Sequence, residues 1–383
     1  MADMLIRNVR IYGEGEKRNI YVKNGKIAKI TVGDTSEKSG FDGVCVRDFH
    51  GMAIFPGLVD IHSHGCIGLD TMDGPEAVAK MSVYQKRNGI TTWYPTTMTE
   101  SRERIHHATD ILPKSIGGCH IPGYHMEGPF ISEKHKGAQN GEFIRKPDTE
   151  EFSEYKNVSL ITIAPETEGA MKFIEELKNR EKKEQEGKCG ADGRGSYHTV
   201  ICIGHTDADF ECANRAFAAG CECITHTFNA MPPFLHREPS VIGAGIVNNA
   251  YAQLICDGFH VSLPAVIMLY RTFGAKRLIL ISDSLRATGM SDGEYEFGGQ
   301  RVTVKDGAAR LPDGTIAGST TNLFGCVRTA IKFGIPKRDA FRMASETPSR
   351  LMGLNKGVIE EGYDADFVIV DDKCDLIETV ICD

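Results

Sequence analysis

Eight short apolar runs recur along the middle of the chain, and segments with helical periodicity separate most of them. The runs are rich in β-branched residues and lie at about 53–61, 90–97, 119–127, 160–166, 199–206, 223–229, 251–257 and 277–283. The helical segments include 74–88, 170–182, 208–219 and 262–273. Apolar strands that alternate with helices are typical of a parallel sheet, and eight of them predict a (β/α)8 barrel, the TIM-like architecture of the α/β class.

The barrel is predicted to extend over residues 53–354. Two more helical segments, 323–333 and 337–352, follow the eighth run and would close it. The sixth unit is the least regular, because the connection from 223–229 to 251–257 has little helical pattern. The segment 178–197 begins as a charged helix end and then becomes rich in glycine, which predicts a surface insertion without a catalytic role.

Both ends of the chain show a different pattern, in which apolar and polar residues alternate as they do in half-buried strands. Residues 4–12 alternate in this way, and 20–30 is predicted to be a hairpin with Asn24-Gly25 as its two-residue turn. Residues 357–370 have a similar pattern. We therefore predict a small β-sandwich domain that is built from both chain termini, residues 1–52 and 355–383.

Length and composition fit a large globular enzyme and argue against several other classes of protein. The chain has 383 residues, of which 41% are hydrophobic, and a formal net charge of −8 without a basic run, so we expect no nucleic-acid partner. It has no apolar stretch of about 18 residues and no signal-like apolar segment at its start, so we expect no membrane association. Its twelve cysteines are scattered along a chain without a secretory signal, which favours reduced thiols in a cytoplasmic protein, and the lack of a C-x-x-C pair argues against a structural zinc ribbon.

Histidines and acidic residues gather where the predicted barrel strands end. The first strand ends in His62-Ser-His64, whose imidazoles share one side because residues i and i+2 of a strand face the same way. The later strand ends carry His125, Glu127, His205, His226, Asp257, His260 and Asp283. The carboxyl ends of parallel strands meet at one mouth of a barrel, where the active sites of TIM barrels lie. We therefore expect these side chains to form one site.

The residue types indicate a hydrolase that uses a divalent metal ion. Four histidines and one shared carboxylate can hold one or two such ions, and zinc, iron, manganese and cobalt all suit these ligands. A bound ion lowers the pKa of its water and polarises a carbonyl oxygen. Hydrolysis also needs a group that takes a proton from the water and gives it to the leaving group. Asp283, alone after the last apolar strand, is the candidate for this role.

The motifs resemble those of the amidohydrolase superfamily, and within it those of the N-acetylglucosamine-6-phosphate deacetylases. The matching segments run through most of the barrel in the family's order and include Pro56-Gly-Leu-Val-Asp-Ile-His62-Ser-His64, His125-Met-Glu-Gly-Pro-Phe130, Gly204-His-Thr206, Thr225-His-Thr-Phe-Asn-Ala-Met-Pro232, Asp257-Gly-Phe-His260 and Ala317-Gly-Ser-Thr320. Each motif alone is short, but together they are specific. The resemblance implies the same barrel and the same split β-domain.

The resemblance also implies a role for each candidate ligand. Glu127, His205 and His226 are similar to the ligands of the metal site that all members need. His62 and His64 are similar to the ligands of a second site, with Glu127 shared between the two. Asp283 would act as general base and then as general acid toward the departing amine.

The substrate contacts implied by the resemblance involve a second subunit. Asn229 and the backbone amide of Ala230 resemble groups that meet the phosphate or the sugar, and His260 resembles a histidine that contacts the sugar or the carbonyl oxygen. Arg237 resembles an arginine that binds the phosphate in the neighbouring subunit's site, which implies a homodimer; its planar fork can bond two phosphate oxygens. Gln139 departs from the pattern, since many relatives have histidine there.

The implied function is hydrolysis of the N-acetyl group of N-acetylglucosamine 6-phosphate to glucosamine 6-phosphate and acetate. Two alternatives remain open. Another amidohydrolase activity, such as deacetylation of N-acetylgalactosamine 6-phosphate or hydrolysis of an N-acyl amino acid, would use a similar metal site. A catalytically silent barrel acting as a scaffold or sensor would be expected to lack some of the site residues, and all of them are present here.

Overall fold

The fold has two parts, a barrel of parallel strands and a sheet built from both chain ends. The computed structural model describes residues 3–32, 44–113, 117–185 and 198–382. The strands of these residues are β1 (Met4–Ile11), β2 (Arg18–Lys23), β3 (Lys26–Val32), β4 (Cys45–Asp48), β5 (Ala53–Pro56), β6 (Leu58–Ser63), β7 (Gly65–Cys66), β8 (Leu69–Asp70), β9 (Ile90–Thr97), β10 (Tyr124–Glu127), β11 (Val158–Ile163), β12 (Val200–Ile203), β13 (Cys223–Ile224), β14 (Tyr251–Ile255), β15 (Leu278–Ile281), β16 (Gly293–Phe297), β17 (Gln300–Lys305), β18 (Ala308–Arg310), β19 (Asp366–Val370) and β20 (Leu376–Ile381). The α-helices are α1 (Pro75–Arg87), α2 (Arg102–Thr109), α3 (Thr149–Glu154), α4 (Ala170–Gln185), α5 (Phe210–Ala219), α6 (Ser240–Val247), α7 (Leu263–Phe273), α8 (Leu323–Lys332), α9 (Lys337–Met343) and α10 (Glu346–Leu351).

Eight strands pair in parallel in the order β6-β9-β10-β11-β12-β13-β14-β15 and form the barrel. The two end strands meet where the Asp283 N–H donates to the His62 carbonyl oxygen. Beside this contact, the Ser282 hydroxyl donates to the buried carboxylate of Asp60. The interior is filled by buried side chains that include Val59, Ile61, Tyr94, Leu160, Val200, Cys202, Cys223, Ile255, Ile279 and Ile281. The predicted (β/α)8 barrel is therefore confirmed.

The first apolar run divides into two strands at Gly57. β5 pairs with β1 and β19 in the terminal sheet, whereas β6 begins the barrel. A side chain has no room at the division, because a β-carbon on Gly57 would lie 2.2 Å from Oγ1 of Thr91. The assignment of residues 53–56 to the first barrel strand was therefore wrong. The pattern could not reveal the change of sheet, since both strands are fully buried.

Burial also explains the irregular sixth unit. Its helix, α6, has the sequence Ser-Val-Ile-Gly-Ala-Gly-Ile-Val, and its first six residues are buried. A helix that is covered on all sides has no polar face, so it lacks the usual periodicity. The predicted segment 337–352 forms two helices, α9 and α10, and α4 continues to Gln185, so residues 178–185 belong to that helix. The rest of the predicted insertion, 186–197, lies outside the described residues. None of the helices in the described ranges combines the length and the apolar character that a membrane span requires.

The terminal sheet has the order β20-β19-β5-β1-β2-β3, with β4 beside β1. The pairing of β1 with β2 shifts register between Ile6 and Val9; on its other side, β1 pairs first with β4 and then, at its end, with β5. The sheet encloses its own apolar core, which includes Ile6, Val9, Ile20, Val22, Ile54, Phe367 and Ile369. Asn24 and Gly25 have φ values of 51° and 71°, as a two-residue hairpin turn requires. The predicted β-domain from both chain ends is confirmed.

A three-stranded antiparallel sheet that the sequence analysis did not predict follows the last barrel strand. It consists of β16, β17 and β18 and packs against Met72, Met98 and Leu285. Phe297, at the end of β16, contacts the ring of His64 edge-on with 5.2 Å between the ring centroids. This sheet therefore forms one wall of the barrel mouth.

Candidate active site

Six imidazole and carboxylate side chains meet at the carboxyl ends of the barrel strands, in two groups of three whose ligand atoms lie within 4.8 Å of one another. One group consists of His62, His64 and Asp283, and the other of Glu127, His205 and His226. All are buried. The structure thus brings together the five residues predicted as metal ligands and the aspartate predicted as the base.

Three of these residues have positive φ angles, which residues other than glycine rarely adopt. The φ angle is +46° at His205, +25° at His226 and +46° at Asp283. Hydrogen bonds hold Asp283 in place, because its N–H donates to the His62 carbonyl oxygen and its own carbonyl accepts from Ser319 N–H. Strained backbone persists where the surrounding structure enforces it, and it is concentrated at functional sites.

The spacing of the second group matches that of ligands around one metal ion. Glu127 Oε1 lies 3.2 Å from Nε2 of His205 and 3.0 Å from Nε2 of His226, and the two nitrogens are 3.0 Å apart. Two ligands of a tetrahedral zinc ion, each about 2.0–2.1 Å from it, are separated by roughly 3.3 Å. These three donors therefore fit around a divalent ion.

Glu127 also faces the first group. Its Oε1 lies 3.2 Å from Nε2 of His62, and its Oε2 lies 3.3 Å from Nε2 of His64. Asp283 Oδ1 lies 3.2 Å from Nε2 of His64 and 3.5 Å from Nε2 of His62. The carboxylate of Glu127 can therefore be shared between two ions. Asp283 can act as a metal ligand as well as a base, a role that the sequence analysis did not assign.

Hydrogen bonds on the far side of two rings determine which nitrogen faces the site. Nδ1 of His205 donates to the His135 carbonyl oxygen at 2.9 Å, and Nδ1 of His62 donates to Oε1 of Gln253 at 3.0 Å. In its neutral form, the form that binds a metal ion, each ring carries its one proton on Nδ1, so Nε2 keeps the lone pair for the ion. Nε2 of His62 is buried and, although Glu127 Oε1 lies 3.2 Å away, it makes no hydrogen bond with the residues that the structure describes. His125 differs, because hydrogen bonds engage both of its ring nitrogens.

The two buried carboxylates of the site need positive charge beside them. Burial by itself would raise the pKa of Asp283, but the charge on His62 and the hydrogen bond to His64 lower this pKa to about 2. The pKa of Glu127 is held well below its usual range, against burial, by His62 and His205. Burial would lower the pKa of His64, but hydrogen bonds to Asp283 and Glu127 raise it to about 10. Without a metal ion, protonated histidine thus balances two buried carboxylates; a divalent ion would supply the same positive charge and leave the histidines neutral as its ligands.

Five of the six donors, all except His62, line a cleft of about 430 Å³. This volume is within the range of small-molecule sites. The predicted substrate-binding residues Asn229, Ala230 and His260 line the same cleft. Nδ1 of His260 donates to Oδ2 of Asp257 at 2.7 Å, and both side chains are almost fully buried. The Asp257 carboxylate therefore fixes the orientation of this imidazole at the cleft wall.

Arg237 does not line the cleft of its own chain. It lies on an exposed loop, lines a separate hollow with Phe210 and Pro239, and contacts His236 through Nη1. Its predicted contact with the phosphate in a neighbouring subunit stays a prediction.

Several residues of the cleft were not predicted as site residues. Lys134 and His135 line it and bond to the carboxylate of Asp207, and Phe297 enters it from the three-stranded sheet. Gln139, noted only as a departure from the family pattern, donates to Oε2 of Glu127 at 2.6 Å. These residues lie in loops or in an exposed hairpin and belong to no ligand motif. The only available signal was the position of the 134–139 segment shortly after a ligand-bearing strand end.

Comparisons with known proteins agree with this geometry. Residues 53–383 match the amidohydrolase family. An N-acetylglucosamine-6-phosphate deacetylase of Bacillus subtilis is 34% identical over 397 residues, covering 98% of this chain and 95% of that protein. An N-acetylgalactosamine-6-phosphate deacetylase of Escherichia coli is 31% identical over 342 residues, covering 86% of each chain. The structure of an N-acetyl-D-glucosamine-6-phosphate deacetylase variant from Mycobacterium smegmatis, in complex with N-acetyl-D-glucosamine-6-phosphate, matches with a TM-score of 0.84 and 27% identity, covering 100% of this chain and 98% of that one. The chain therefore belongs to the amidohydrolase family.

Proposed function

We propose that this chain hydrolyses the N-acetyl group of N-acetylglucosamine 6-phosphate and releases glucosamine 6-phosphate and acetate. The observation that carries the proposal is the pair of donor groups, joined by Glu127, in a cleft that Asn229, Ala230 and His260 also line. Relatives and a solved structure that match nearly the whole chain are named as deacetylases of this phosphorylated sugar, which supports the substrate.

Divalent metal is the cofactor that the donor set fits. Glu127, His205 and His226 would hold one ion, and His62 and His64 would hold a second with Glu127 shared. Bound there, an ion supplies a water of lowered pKa and polarises the amide carbonyl. Zinc, iron, manganese and cobalt are all compatible with imidazole and carboxylate ligands.

Asp283 would carry the proton in this reaction. Without a metal ion, the charge on His62 and the hydrogen bond to His64 hold the pKa of Asp283 low, against burial, and a divalent ion would supply the same positive charge. The carboxylate is therefore ionised, which is the form that accepts a proton from the attacking water. The same carboxyl group then gives the proton to the nitrogen of the departing amino sugar. The hydrogen bonds at its backbone N–H and carbonyl hold the side chain in one position for both transfers.

His260 would act on the carbonyl side of the amide. Asp257 engages Nδ1 of its ring, which leaves Nε2 for the substrate. A donor at this place stabilises the negative charge that develops on the carbonyl oxygen during attack. Asn229 and the backbone amide of Ala230, which line the cleft, are proposed to bind the sugar or its phosphate.

The first experiment measures acetate release by the metal-supplemented protein from N-acetylglucosamine 6-phosphate, from N-acetylglucosamine and from N-acetylgalactosamine 6-phosphate. Turnover of the phosphorylated gluco compound alone is the expected result. The galacto epimer is the second candidate substrate, because a relative of similar identity is named as its deacetylase. Faster turnover of that compound would move the assignment to the epimer. If the metal-loaded protein releases acetate from neither phosphorylated sugar, the proposal is refuted.

The proposed homodimer, with Arg237 reaching the partner's cleft, has a separate test. Asp283→Asn and Arg237→Ala subunits are each expected to be nearly inactive alone. If the arginine acts across the interface, a mixed dimer has one site with both Asp283 and Arg237. Random re-association would then restore about a quarter of wild-type activity, since half of the dimers each regain one of two sites. Absence of any recovery in dimers shown to be mixed would place the arginine's action within its own chain.

A further inference from the structure

Two buried glutamines contact the donor groups, and neither belongs to a ligand motif. The side chain of Gln139 reaches Glu127, and that of Gln253 reaches His62. Gln139 is 2% exposed and Gln253 is fully buried. We infer that both are positioning residues of the metal centre: Gln139 fixes the carboxylate that the two groups share, and Gln253 fixes the imidazole of His62. This inference rests on the metal site proposed above.

Gln139 is held at both ends of its amide. Its Oε1 accepts from the N–H of Thr99 at 2.7 Å, so Nε2 is the end that donates to Oε2 of Glu127, at 2.6 Å. Hydrogen bonds to an ionised carboxylate are stronger than those between neutral groups. This bond holds Oε2 beside His64 and thereby keeps Oε1 turned toward the other three histidines. The orientation of Glu127 between both groups therefore depends on Gln139.

Gln253 reaches the site from inside the barrel, on β14. Its Oε1 accepts from Nδ1 of His62 at 3.0 Å, and its Nε2 lies 3.9 Å from Sγ of Cys202. The first contact keeps the proton of His62 on Nδ1 and leaves the lone pair of Nε2 for a metal. The same Oε1 also accepts a longer hydrogen bond, 3.5 Å, from the backbone N–H of His226 in the other group, and this bond involves the backbone of His226 rather than its imidazole.

These contacts predict two different patterns of metal loss. Gln139→Leu removes a donor to the carboxylate that both groups use, so the affinity for both ions should fall by about 10–100-fold. Gln253→Met removes the acceptor for His62, so only the His62–His64–Asp283 site should weaken, again by about 10–100-fold. Gln253→Glu keeps an acceptor oxygen and should restore most of the affinity of that site.

Cobalt binding tests this pattern without using enzyme activity. Each metal-free protein is dialysed against graded free cobalt, the bound metal is counted by mass spectrometry, and the visible spectrum reports the coordination of each ion. Gln85→Leu is the matched control, because Gln85 is also 2% exposed and donates to the hydroxyl of Ser63 rather than to a donor group. Thermal unfolding of the metal-free proteins shows whether each variant folds. If Gln139→Leu does not fold, Gln139→Glu keeps the size of the side chain and replaces the donor with a second carboxylate.

The expected result is two weakened sites in the Gln139 variants, one weakened site in Gln253→Met, most of the wild-type affinity in Gln253→Glu, and wild-type binding in Gln85→Leu. Wild-type affinity at both sites in folded Gln139 and Gln253→Met variants would overturn the inference, and so would an equal loss in Gln85→Leu. If the wild-type protein binds no ion, the proposed metal site itself fails and the inference fails with it. If the wild type binds two ions and the glutamine variants bind them equally well, the inference fails but the proposed metal site stands.

Discussion

Replacing Asp283 by asparagine tests the proposed proton transfer with little change of shape. Asparagine is among the few residues that visit the left-handed region readily, so the φ of +46° should be kept. Its amide oxygen can still face His62 and His64, but an amide cannot take a proton from water. General acid–base catalysis contributes about 10²–10⁴-fold. We expect kcat to fall by that factor, which corresponds to about 3–5 kcal/mol of activation free energy.

The assay is steady-state acetate release, with metal content measured on the same samples. The ion of the Glu127–His205–His226 group should remain bound, because Asp283 is not one of its three donors. KM should change little, since the predicted sugar contacts lie elsewhere in the cleft. A metal-loaded variant with kcat within about threefold of wild type would refute the role of Asp283 as the base. If the variant instead loses bound metal in proportion to its loss of kcat, the main role of Asp283 is that of a metal ligand rather than a base.

The remaining predictions concern packing, positioning and pH. Gly57→Ala should lower the free energy of unfolding by about 1–3 kcal/mol, because its β-carbon would overlap a threonine side chain of the next strand; an unchanged midpoint in chemical denaturation would contradict this. Asp257→Asn should lower kcat by about tenfold to hundredfold without loss of metal, since a charged hydrogen bond worth roughly 1.5–3 kcal/mol is weakened at the cleft wall, and Asp257→Glu should recover part of the rate. Hydrogen bonds to Glu181 and Glu222 raise the pKa of His198 from 6.5 to about 9, so this group stabilises the fold fully below pH 6.5 and loses its contribution as the pH rises through 9. The difference in unfolding free energy between wild type and His198→Gln should be small, because the His198 side chain is 41% exposed. It should vanish by about pH 10, where the imidazole is neutral. A difference that persists at pH 10 would contradict the assignment.

The barrel could be predicted because its strands are buried on both faces and therefore appear in the sequence as continuous apolar runs. The same property hid two features. β5 and β6 lie in different sheets but are equally buried, so residues 53–63 show no change of pattern at Gly57. The buried helix α6 has no polar face. By contrast, the hairpin of β16 and β17 does alternate between exposed residues and partly or fully buried ones, and a period-two search of 293–305 would have found it.

The six donors could be predicted because the topology of a parallel barrel places strand ends together, whatever the loops do. The orientation of the donors could not. It depends on partners that are distant in sequence, such as the His135 carbonyl for His205 and the amides of Gln139 and Gln253 for Glu127 and His62. A single glutamine in an apolar strand matches no motif, and its role becomes visible only when the atom at the other end of its hydrogen bond is known.

Gln253 is a position at which the stability of the barrel core and the affinity for metal place different demands on the side chain. A polar side chain inside an apolar barrel is costly unless its groups are hydrogen-bonded, and an apolar side chain of similar size is often neutral or better for stability. If Gln253 had only a structural role, Gln253→Met would be expected to leave the metal affinity unchanged. If it positions His62, the same substitution weakens metal binding whatever it does to the metal-free barrel. In this variant, the free energy of unfolding without metal and the affinity for metal should therefore change independently. Independent changes would show that this core position serves the metal site rather than the stability of the barrel.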